Sequence, residues 1–170
     1  MTTFIRLRGL SRTHFFTAFD LGGHTLWTKQ LNNETLLIEC GGPATLSVGS
    51  TGIYVADNTC LRTPSTGVVY VSFIRKYDFG GNELWTRWSR TVGGTSGVWN
   101  QTLGISADSK GAYTVGPDFV QHLDPGGNKV WTLQIEMQFY RSISVSSRGI
   151  FVAGGTSIDK LCDSPSCIHN

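Results

Sequence analysis

The side chains that could do acid–base, nucleophilic or metal chemistry are spread thinly along this chain. Asp20, Asp78 and Asp124 recur in one sequence context. Each therefore serves its own turn, and the three do not form a shared carboxylate site. His14, His24, His122 and His169 are isolated, and no His-x-x-x-His pair, phosphate-binding loop or dinucleotide fingerprint is present. No serine lies in a Gly-x-Ser-x-Gly elbow. His24 stands where the other copies carry Asn82 and Asn128, which marks it as a turn residue rather than a base. Cys162 and Cys167 flank Pro165 in a polar tail that also carries His169, while Cys40 and Cys60 stand in expected loops. A zinc site needs four ligands, and one histidine nearby does not complete it. A local disulfide and free thiols stay open beside it, because pairing is not fixed by sequence. No catalytic residue, cofactor or metal site is expected.

Binding chemistry has two candidate loops. Asp57 to Val71 is long and holds Pro64. Thr91 to Thr102, TVGGTSGVWNQT, sets Trp99 and Asn100 among glycine and polar residues. Trp99 falls outside any repeated register, so it and Asn100 are the expected contacts to a protein or glycan ligand. Asn33-Glu34-Thr35 and Asn100-Gln101-Thr102 match the glycosylation acceptor pattern, which is common by chance.

The elements that must position these loops are repeated. DLGGHTLWT from Asp20, DFGGNELWT from Asp78 and DPGGNKVWT from Asp124 share the Asp, both glycines, the Trp and the Thr. Asp-x-Gly-Gly is turn chemistry: the carboxylate can accept an Asx hydrogen bond and glycine supplies positive φ. Pro125 suits the second position of a type I turn. β-prone runs flank each turn, FFTAF, FIRKY and FVQHL before it and HTLWTKQL, NELWTRW and NKVWTLQI after it. Each copy reads as a hairpin. Trp27, Trp85 and Trp131 occupy one place on its second strand, which favours packing between units over a ligand-stacking row.

A second repeated element follows each hairpin: LSVGSTGIYVAD, ISADSKGAYTVG and ISVSSRGIFVAG, turning at Gly52, Gly111 and Gly149. Two hairpins per unit make about four strands. The interval from Trp27 to Trp85 is longer than that from Trp85 to Trp131, because residues 57–71 replace the short link Gly116-Pro117-Asp118. Unequal loops on a constant four-stranded frame suit a β-propeller. The expected fold is all-β, with about three four-stranded blades over residues 15–156, an N-terminal segment 1–14 and a polar tail 157–170. The hairpins around Asp20 and Gly149 read as an outer and an inner half-blade, expected to join as one. Three blades make an incomplete ring, which would pair with a second copy or form part of a longer propeller.

FIRKYDFGGNELWT together with GISADSKGAYTVG resembles the bacterial and archaeal β-propeller repeats known as SBBP repeats. The resemblance covers about Phe15 to Gly155; Ala18 and His122 stand where the family has lysine. It implies a secreted or cell-surface scaffold that binds protein or glycan without catalysis. It assigns no functional residues. A propeller enzyme, of lyase or quinoprotein type with a site in the central channel, is the alternative.

Composition agrees with tight-turned β structure: 21 of 170 residues are glycine and 15% are charged. The net charge of +2 and scattered arginines argue against a nucleic-acid binder. No stretch is long enough to span a membrane.

Overall fold

The computed structural model describes residues 4–10, 13–31, 37–38, 44–63, 67–90, 101–135, 140–154 and 157–161, and side chains within 15–31, 44–59, 71–88, 101–135 and 140–154. Every regular element among them is a β-strand. The first sheet runs β1 (Phe4–Leu10), β2 (Thr13–Phe19) and β3 (Thr25–Gln30). The second holds β4 (Leu37–Ile38), β5 (Thr45–Gly49), β6 (Gly52–Thr63), β7 (Gly67–Tyr77) and β8 (Glu83–Arg90). The third is a four-stranded meander of β9 (Gly104–Asp108), β10 (Gly111–Val115), β11 (Phe119–Leu123) and β12 (Lys129–Gln134). The fourth comprises β13 (Tyr140–Ser146), β14 (Gly149–Gly154) and β15 (Ser157–Leu161). All described pairings are antiparallel, and none of the sheets closes on itself.

The all-β expectation and the two internal four-strand meanders are present. The expected count of three units is not: there are four sheets. The two end hairpins do not pair with each other among the described residues. Each instead gains a third strand from its own flank, β1 against β2 and β15 against β14. A hairpin whose open edge is taken locally has no need of the distant one.

Of Asp57 to Val71, expected as a loop, residues 57–63 and 67–71 are strand. β6 and β7 stay in register from Ile53↔Tyr77 to Thr63↔Gly67, and β4 lies along the far half of β6 at Leu37↔Leu61. The run Val68-Val69-Tyr70-Val71 is β-branched or aromatic throughout, which favours strand there.

The sheets meet face to face, and each seam has its own apolar cluster. Phe16, Leu31, Ile53, Val55, Phe73 and Tyr77 lie between the first and second sheets. Tyr54, Ala56, Ile74, Ile105, Ala112 and Leu123 fill the next seam. Tyr113, Val115, Val120, Tyr140, Ile143, Ile150 and Val152 fill the last. β5, β9 and β13, the leading strand of each unit, contact one another in series. The chain entering the third sheet is pinned by a buried amide. Asn58 Nδ2 donates to the Thr102 carbonyl at 2.8 Å, and Asn58 Oδ1 accepts the Thr102 N–H at 2.9 Å. The side chain thus imitates one rung of a β-ladder.

Thr114 Oγ1 is the one buried side-chain polar atom without a hydrogen-bond partner among the described residues. The repeat puts Val55 and Val152 at the same place, one residue after Tyr54 and Phe151. An unsatisfied buried hydroxyl carries its full desolvation penalty. Thr114→Val is therefore expected to stabilise the fold by about 1 kcal/mol, read as a higher midpoint in chemical denaturation; an unchanged or lower midpoint would refute the assignment.

Candidate functional site

The conserved geometry of the repeat lies in its turn. Asp20, Asp78 and Asp124 each accept the backbone N–H of the residue four ahead through Oδ1, at 2.9, 2.8 and 2.8 Å. Oδ2 takes the side chain of that same residue: His24 Nδ1 at 3.1 Å, Asn82 Nδ2 at 2.9 Å and Asn128 Nδ2 at 3.0 Å. The second glycine of each pair, Gly23, Gly81 or Gly127, has φ near +80° and donates to the Asp carbonyl at 2.9–3.1 Å. This is a type I turn closed by a glycine bulge. Asp78 and Asp124 are held below the usual carboxylate range chiefly by the asparagine side chain, and Asp20 chiefly by the His24 backbone N–H. These carboxylates are spent on their turns, as their sequence context implied.

A second irregularity follows. The register slips at Ala18/Phe19, Lys76/Tyr77 and His122/Leu123. The residue skipped is Leu26, Leu84 or Val130, and all three are exposed. The bulge turns the next residue, the tryptophan, inward across the seam. Trp27 Nε1 donates to the Phe79 carbonyl at 3.2 Å, and Trp85 Nε1 to the Pro125 carbonyl at 3.0 Å. Each indole thus grips the turn of the following sheet. A methyl group on Gly81 would lie 3.1 Å from the Trp27 ring, and one on Gly127 2.9 Å from the Trp85 ring. Lys76 Nζ reaches the same Pro125 carbonyl at 2.9 Å while lying over the Tyr54 ring. His122 holds the equivalent register and stacks on Tyr113 at 4.2 Å. Arg87 covers Trp85 and donates to the Gly127 and Gly126 carbonyls at 2.8 and 3.1 Å. The tryptophans are structural and sit on separate seams, half-buried rather than sealed in the core.

Beside each of the first two seams lies a cleft. The smaller, about 300 Å³, is crossed by Arg75. Its guanidinium donates to Thr86 Oγ1 at 2.7 Å and the Leu31 carbonyl at 3.0 Å, and pairs with Glu83 at 3.3 Å. The larger, about 610 Å³, lies between β7–β8 and β11–β12. There Gln121 takes the register of Arg75, opposite Thr132 as Arg75 is opposite Thr86. The shorter amide bonds to Thr132 Oγ1, at 3.2 Å, and leaves the space open. Trp88 lines it, 45% exposed and packed on Phe73 with ring centres 5.1 Å apart.

Trp99 and Asn100, the expected contact residues, lie outside the described residues, as do Cys162, Cys167 and His169. Among the described residues no group of three or more His, Cys, Asp or Glu side chains could hold a metal, and no helix is long and apolar enough to cross a membrane. The set Trp88, Gln121 and Gln134 carries no motif. Its single trace in the sequence is WTRW, where the other copies read WTKQ and WTLQ. Neither a family model nor a curated protein matches the chain.

Two outcomes test the turn. Gly23, Gly81 and Gly127 share one backbone conformation, yet a methyl on Gly23 meets nothing within 4 Å. Gly23→Ala should cost only the left-handed strain of about 1–2 kcal/mol. Gly127→Ala should cost clearly more, because it also displaces Trp85; equal losses would mean the indole contact contributes nothing. The turn carboxylates also set an acid limit. Their folded pKa values lie below the ordinary 3.8, so between the two values the unfolded chain binds more protons. The stability they add is complete above about pH 5 and is lost as pH falls through the folded values. Asp78→Asn should flatten that acid limb in denaturation series, and an unaltered limb would remove Asp78 from it.

Proposed function

We propose that this chain is a non-catalytic scaffold of β-propeller type, in which repeated sheets are joined indole to turn and the assembly holds a protein or glycan ligand. The observation that carries this reading is the first turn. It has the same Asp–Gly–Gly geometry as the other two, but the space above Gly23 is open where Trp27 and Trp85 cover Gly81 and Gly127. Leu21, whose carbonyl corresponds to the two that accept indole N–H groups, is 65% exposed. Phe15 and Phe19 of β2 are half-buried, whereas Phe73 and Tyr77 at the matching registers of β7 are 1% and 3% exposed. At the other end Phe151, in register with buried Tyr54 and Tyr113, is 37% exposed.

Both outer faces thus resemble halves of a seam, and apolar faces of this kind mark interfaces. A head-to-tail joint between copies would cover one face with the other and make a ring or a filament. The resemblance to exported repeat proteins adds a secreted or cell-surface setting to this reading. Light scattering after size exclusion tests it: the chain is expected above its 18.6 kDa formula mass, by a margin that grows with concentration. A stable monomer that binds no apolar dye would overturn the incomplete ring.

A further inference from the structure

We infer that the cleft between β7–β8 and β11–β12 is a binding site for an uncharged oligosaccharide, stacked on Trp88 and hydrogen-bonded by Gln121 and Gln134. The inference rests on the binding-scaffold reading and gives it a ligand class and a place. At about 610 Å³ the cleft has the size of an ordinary small-ligand site. One wall is an indole 45% exposed and fixed against Phe73. A pyranose ring offers an apolar C–H face to such a surface and hydroxyls at its rim, and an aromatic ring with a polar border is complementary to both.

Most of the polar lining is neutral and suits hydroxyls. Gln121 Nε2 donates to Thr132 Oγ1, and Gln134 Nε2 donates to Asp118 Oδ2 at 2.9 Å. Each amide is thereby oriented by one bond, and an amide has a second N–H and a carbonyl with which to meet a vicinal diol. Of the charged groups on the walls, Arg87 and Asp118 are engaged with the protein, and Lys129 is exposed at the rim. Arg87 is spent on the Gly126 and Gly127 carbonyls, and Asp118 on Gln134. The cleft beside Arg75 provides an internal control: where Arg75 stands in place of Gln121, the guanidinium bridges the walls and the space is halved.

The test is titration of the full chain, by calorimetry and amide NMR, with hexasaccharides of β-1,4-glucose, β-1,4-mannose and β-1,4-N-acetylglucosamine, and with a sulfated hexasaccharide for comparison. At least one neutral sugar is expected to bind with Kd of about 1 mM or tighter, with little salt dependence. Trp88→Ala and Gln121→Arg should each weaken it roughly tenfold or more, about 1.4 kcal/mol, with the circular dichroism unchanged. Gln121→Arg rebuilds the filled cleft seen beside Arg75, so it carries the test if Trp88→Ala disturbs the fold. The site is overturned if no neutral sugar binds, if only the sulfated one binds with an affinity that falls as salt rises, or if neither variant changes binding. Those results leave the scattering measurement of assembly untouched, so the sugar site and the scaffold reading fail separately.

Discussion

The contact of an indole edge with a turn that lacks a side chain is the constraint from which the arrangement of sheets follows. It needs three things at once. The turn must contain a glycine at φ near +80°, so that the ring can approach the backbone. The strand must slip by one residue, so that the tryptophan rather than Leu26 or Leu84 faces the seam. The carbonyl of the turn's second residue must point at the indole N–H. Remove the bulge and a strand's strict alternation would send the tryptophan to the opposite face. One residue of slippage thus decides whether neighbouring sheets can dock. The Asp carboxylate works one level below: by fixing two N–H groups it holds the turn in the shape that the indole meets.

Much of this frame is legible in the sequence, because the same constraint is met three times. Identical turn residues at Asp20, Asp78 and Asp124 announce hairpins, and identical tryptophans announce one packing role. Sheet number is less legible. β1 lies in the N-terminal segment 1–14, where Arg6 and Arg8 alternate with Ile5 and Leu7 as one solvated strand face, and β15 lies within the segment 157–170 expected as a polar tail. Each pairs with the open edge of the hairpin beside it, which neither segment's own residues identify. The strand residues within 57–71 mislead for a related reason: Pro64 and the threonines beside it in sequence signal a loop, whereas the pairing of β6 with β7 involves the valines further along.

The cleft is illegible for a different reason. Trp88, Gln121 and Gln134 come from two sheets that are separate in the chain, and each looks like an ordinary strand residue. What brings them together is the repeat register. Trp88 and Gln134 occupy one repeat position, three residues after Trp85 and Trp131, on adjacent sheets. A repeated frame makes every seam alike in backbone, so differences between seams reside in the few side chains that vary. Arg75 against Gln121 is such a difference, and it changes a filled crevice into an open one.

This separation of duties lets the clefts differ from seam to seam without risk to the fold. The groups that join the sheets are glycine, tryptophan and backbone carbonyls, together with cations such as Arg87 that cover the indole. The groups that line the clefts stand elsewhere on the strands, at positions where Thr17, Arg75 and Gln121 share one register. Exchange at such a position leaves the turn, the bulge and the indole contact in place. It alters only the width and polarity of one seam. The stability of the assembly and the chemistry of its surface are therefore set by different residues of the same repeat.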